Sequence, residues 1–116
     1  MTSDKAIGIF DSGVGGLTVL EQIKKELPNE NIIYLGDTKN FPYGTKNKEK
    51  IIEYSKNNTK KLLEKGVKVI IVACGTATSQ AIEELKNEFD VPIIGIIEPT
   101  VKYIKEKNIN KIGVMA

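Results

Sequence analysis

Along this chain, short apolar runs alternate with stretches whose apolar residues recur every three or four positions. The runs are AIGIFD (6–11), NIIYLG (31–36), VKVIIVA (67–73), PIIGII (92–97) and KIGVMA (111–116). Isoleucine and valine dominate them, and several are apolar without alternation, which suits strands of a parallel sheet covered on both faces. Between the runs, Leu17, Leu20, Ile23 and Leu27 mark a helix ended by Pro28-Asn29. Ile51, Ile52, Ser55, Thr59, Leu62 and Leu63 mark a longer one that stops at Gly66. Ala77, Ala81, Ile82, Leu85 and Phe89 line a third, and Val101 with Ile104 a short fourth. Strands alternating with helices at this spacing read as βαβ units with right-handed crossovers. The predicted fold class is α/β: a doubly wound, mainly parallel sheet with helices on both faces, a flavodoxin- or Rossmann-like three-layer sandwich.

The last run, KIGVMA, stops on an apolar residue with no crossover helix after it to cover it. The expectation is that residues 1–98 form one α/β domain, and that 99–116 begin a second whose remainder is missing.

Composition narrows the function. The chain has 116 residues, enough for one domain, with 41% hydrophobic and 28% charged residues. Its net charge of +2 comes from lysines scattered along the chain, not from a basic stripe, so neither nucleic acid nor membrane is an expected partner. A single cysteine makes no internal disulfide, no run nears the length of a membrane span, and the first residues lack a signal peptide's apolar core. Together these predict a cytoplasmic protein. Histidine is absent, which removes the commonest acid/base group and metal ligand. Proton transfer must then fall to Cys, Asp, Glu, Lys or Tyr, and no metal site is expected.

In open α/β sheets, ligands bind outside the carboxyl ends of the strands. Here those ends deliver Asp11-Ser12, Gly36-Asp37 with the loop TKNFPYGT, Cys74-Gly75-Thr76, and Glu98-Pro99-Thr100. All are expected along one rim. The turn DSGVGGLT invites a phosphate, but it has no P-loop lysine, and the last glycine of a dinucleotide fingerprint is replaced by Thr18. A carboxylate fits the turn equally well. A phosphoacceptor domain would want an acid where Cys74 stands. Asp11 reads either as a site residue or as the N-cap of the first helix. Cys74 reads either as a buried apolar residue or as a working thiol. Thr76 or Thr78 is expected to cap the following helix, setting the sulfur beside a helix N-terminus, where the dipole favours thiolate.

The motifs IGIFDSGVGGLTVL, YLGDTKNFPYGTK, VIIVACGTATS, VPIIGIIEPT and KIGVMA, in this order and spacing, resemble those of the glutamate racemases. Aspartate and hydantoin racemases share the general pattern, but DSGVGG together with PYG resembles the glutamate branch. The resemblance implies cofactor-independent interconversion of L- and D-glutamate, supplying D-glutamate for peptidoglycan, by two thiols on opposite faces of Cα. It implies Cys74 as acid/base on one face with Asp11 as its assistant. Asp11, Ser12, Tyr43, Gly44, Gly75 and Thr76 would line the substrate's polar ends, partly through backbone N–H groups. Two departures stand out. The family reads A-C-N-T-A where this chain has Gly75, and the half of the family's sequence that carries the second cysteine, in Gly-Cys-Thr-His, is missing. One thiol cannot complete a two-base racemisation, so the chain is expected to be inactive alone. A catalytically silent amino-acid-binding module is the alternative. A homodimer with two Cys74 thiols across a two-fold axis is another.

Overall fold

The computed structural model describes residues 5–96, with 106, 107 and 111. Its elements are β1 (Ala6–Asp11), α1 (Leu17–Glu26), β2 (Ile32–Gly36), two short 3-10 turns (Thr38–Asn40 and Tyr43–Thr45), α2 (Lys48–Glu64), β3 (Val67–Val72), α3 (Gly75–Glu88) and β4 (Ile93–Gly95). The four strands form one parallel sheet in the order β2-β1-β3-β4. This is the α/β class expected. The proposed fourth helix, the strand KIGVMA and Glu98-Pro99-Thr100 lie outside the described residues.

Sequence accounts for most of the boundaries. Asn47 caps α2 by accepting the Lys50 N–H at 2.9 Å, and Gly66, at φ +81°, ends it in a conformation that only glycine takes cheaply. Leu27 closes α1 just ahead of Pro28, which cannot continue a helix.

The two faces of the sheet are not equally covered. Helices α2 and α3 pack on one, where Phe10, Ile70, Val72, Leu62, Ala77, Ala81 and Leu85 make a dry core. Only α1 covers the other among the described elements, over a smaller cluster of Ile7, Ile9 and Ala73. Full burial on both sides, expected for the strands in general, is met along β1. On β3, Val69 and Ile71 are only half-buried, every residue of β2 is half-buried, and Ile94 of β4 is exposed. One ten-residue helix is too narrow to roof four strands.

Truncating Leu85, fully buried between α3 and the sheet, leaves a cavity and should destabilise the chain by about 2–5 kcal/mol. Leu27→Ala, at a half-exposed helix end, should change stability by no more than about 0.5 kcal/mol. Urea midpoints of the two variants check the contrast.

Candidate active site

Backbone hydrogen bonds hold the strands together up to their carboxyl ends. The Asp37 N–H donates to the Asp11 carbonyl at 2.8 Å, and the Ala73 N–H to the Phe10 carbonyl at 2.9 Å. Ser12, Asp37 and Cys74 therefore leave the sheet side by side, as the shared rim requires.

Cys74 is buried and is itself the N-cap of α3. Its sulfur accepts the Ala77 N–H at 3.4 Å, taking the place that a serine or aspartate oxygen usually holds. The expectation that Thr76 or Thr78 caps this helix is corrected. Thr78 is buried inside the first turn and donates its hydroxyl to the Val72 carbonyl at 3.2 Å. Capping belongs to the residue one position before Gly75, so the only side chain in reach is the thiol. The thiol in turn donates to the Ser12 hydroxyl at 3.6 Å.

Side chains alternate along β1, so Asp11 shares the face of Ile7 and Ile9, under α1, whereas Cys74 belongs with Phe10 and Val72 on the other face. The Asp11 carboxylate accepts the Gly16 N–H at 2.7 Å, and Gly16 is the N-cap of α1. The Tyr34 hydroxyl shares its proton between the Gly13 carbonyl at 3.1 Å and Asp11 Oδ2 at 3.4 Å. Asp11 thus ties down the turn that carries Ser12. One amide that a phosphate-binding turn would offer is committed to it. The glycines of this turn answer to close packing: a Cβ on Gly16 would lie 2.9 Å from the Tyr34 oxygen, and one on Gly36 would lie 2.6 Å from the Gly13 carbonyl.

The loop after β2 supplies the opposite wall. Tyr43 is 1% exposed, and its hydroxyl points away from solvent. It donates to Asp37 Oδ2 and accepts the Asn58 amide at 2.7 Å. Gly44 faces α3 instead: a Cβ there would come within 4.0 Å of the Thr76 hydroxyl. Gly75 opens outward, and a Cβ on it would meet nothing within 4 Å. The expected site residues Ser12, Cys74, Gly75, Thr76 and Gly44 are thus neighbours, with Tyr43 behind them and Asp11 hydrogen-bonded into the turn before α1.

Tyr34 and Asn58 escaped sequence reasoning. A tyrosine inside an otherwise apolar strand needs a partner for its hydroxyl, and that was the available signal for Tyr34. For Asn58 it was the polar neighbours Ser55 and Thr59 in a buried stripe.

Residues 7–116 match the family model for Asp/Glu/hydantoin racemases. The chain belongs to that family. Among relatives, the glutamate racemase of Aquifex aeolicus is 50% identical over 110 residues, covering 94% of this chain and 43% of that protein. The solved glutamate racemase of Aquifex pyrophilus superposes with a TM-score of 0.85 at 52% identity, over 88% of this chain and 40% of its own. That of Francisella tularensis, solved with D-glutamate, gives 0.83 at 38% identity, over 89% and 40%. This racemase-family chain spans about two fifths of the length of the relatives it matches. Among its described residues, no helix is long and apolar enough to cross a membrane.

Burial, with the nearby Asp11 charge and hydrogen bond, pushes the Tyr34 hydroxyl up to about 12. The folded chain therefore keeps this proton where the unfolded chain has lost it. The resulting stabilisation is complete below about pH 10 and is lost as pH rises through about 12. Tyr34→Phe should remove one proton's share of the fall in stability across that window, read from denaturation midpoints against pH.

Proposed function

We propose that this chain is one catalytic face of a glutamate racemase that uses no cofactor. The observation that carries the reading is the placement of Cys74. A lone thiol stands at the carboxyl edge of a parallel sheet, at a helix N-terminus, between the Ser12 hydroxyl and the Ala77 N–H. As thiolate, Cys74 takes the proton from Cα of one enantiomer and becomes a thiol. A second thiol, from the part of the relatives' length that this chain does not span, donates its proton to the opposite face. In the reverse direction the roles exchange.

Ser12, Gly44 and Thr76 surround the substrate's polar ends in this reading, and Tyr43 contributes through its backbone because its hydroxyl is engaged. Asp11 assists Cys74 indirectly, by holding the turn that presents Ser12. Residues 1–98 are the first α/β domain, and 99–116 lead into the second. The product would be D-glutamate for peptidoglycan, made in the cytoplasm.

Gly75 supports a second reading, a glutamate-binding module without turnover. The family's asparagine amide at this position would contact the substrate, and a hydrogen bond to a charged group contributes about 1.5–3 kcal/mol. Open space at position 75 leaves room to restore it.

Calorimetric titration with D-glutamate and a racemisation assay, run on the chain and on Gly75→Asn, test the proposal. Neither should racemise, and the variant should bind roughly ten- to a hundredfold more tightly. Sustained turnover by the 116-residue chain would refute the need for a second thiol. Unchanged affinity would remove position 75 from the substrate's contacts.

A further inference from the structure

Asn58 lies ten residues into α2, is 2% exposed, and takes no part in the chemistry described above. Asparagine is a poor helix former, and a buried amide is costly unless its hydrogen bonds are met. An apolar residue would serve the core better. What Asn58 does is donate its Nδ2 to the Tyr43 oxygen at 2.7 Å. A phenol has one proton, and that of Tyr43 goes to Asp37 at the end of β2. The oxygen is therefore held from two sides, by a donor on a helix and an acceptor on a strand end. Asp37 is fixed as well, since Asn40 Nδ2 reaches both its oxygens at 3.0 and 3.1 Å. The ring of Tyr54 adds an aromatic contact at 5.5 Å.

We infer that Asn58 is a positioning residue: with Asp37 it clamps the Tyr43 hydroxyl, and so sets the Tyr43–Gly44–Thr45 turn against Thr76 and Cys74. The inference deepens the proposed glutamate site and rests on it for the choice of ligand. The clamp works at one remove. Tyr43 belongs to the core that contains Cys74 and Ala77, its turn packs on α3, and Gly44 follows it directly. Loosening the hydroxyl frees the ring to shift, and Gly44 moves with it. Because the hydroxyl is spent twice inside the protein, what Tyr43 offers the site comes through its backbone.

Asn58→Leu keeps the volume and removes the donor. Amide hydrogen exchange by NMR and titration with D-glutamate, both on the 116-residue chain, read the result. Exchange of the Lys46 amide, which closes this turn by donating to the Tyr43 carbonyl at 3.0 Å, should quicken about tenfold while the amides of β1 keep their protection, and D-glutamate should bind about tenfold more weakly. Asn57→Ala, at an exposed position one residue away, should change neither. Tyr43→Phe deletes the other end of the clamp and should reproduce both effects; it decides the matter if Asn58→Leu does not fold. Unchanged exchange at Lys46 overturns the clamp. Quickened exchange with native D-glutamate affinity overturns the positioning role. Failure of the unsubstituted chain to bind D-glutamate, with exchange still quickened by the substitution, overturns the glutamate site and leaves the clamp standing.

Discussion

Parallel pairing of β1 with a neighbour on each side is the constraint on which the rest depends. Because Ile7 to Asp11 pair in register with Ile32 to Gly36, and Ile7 to Phe10 with Val69 to Val72, the three strands end together. Their last backbone bonds, Asp37 to Asp11 and Ala73 to Phe10, close just where the side chains turn polar. Beyond that line the chain must turn, and the turns leave Ser12, Asp37 and Cys74 side by side. A slip of one residue in β1 would exchange the faces of Phe10 and Asp11, burying a carboxylate under α2 and α3.

From that edge the two faces diverge in function. On the α1 side, Asp11, Gly16 and Tyr34 form a closed set of hydrogen bonds that holds the glycine-rich turn. On the α2–α3 side, the thiol meets the Ser12 hydroxyl, and Gly75 faces open space beside it. The two partners of the Tyr43 hydroxyl, Asp37 and Asn58, also line a polar cleft of about 390 Å³ with Asn40, Asn57 and Lys61. The sheet supplies position, and the polar clusters behind it supply rigidity.

Much of this was legible from residue pattern. β1 runs over the predicted six residues, and α2 stops at the glycine that its pattern named. Strand-end logic alone places Ser12, Cys74 and Thr76 on one rim. Three things were not legible, each for a physical reason. The cap of α3 is a cysteine, whereas threonines nearby are the better cappers by type; position in the turn outweighs type. Asp11 faces α1 while Cys74 groups with Phe10 and Val72, because a strand's alternation sends successive side chains to opposite faces. The inward hydroxyl of Tyr43 depends on Asp37 and Asn58, six and fifteen residues away, which no local pattern connects.

The claim at the centre is that Cys74 belongs to a glutamate site. As the sole cysteine, it reports by mass alone how fast an alkylating agent reaches it. The rate of iodoacetamide modification, measured with and without saturating D-glutamate, is the most direct test. The account predicts that D-glutamate slows modification several-fold, because the ligand's Cα would sit against the sulfur. An identical rate, with D-glutamate bound to the chain, would put the ligand elsewhere and contradict it.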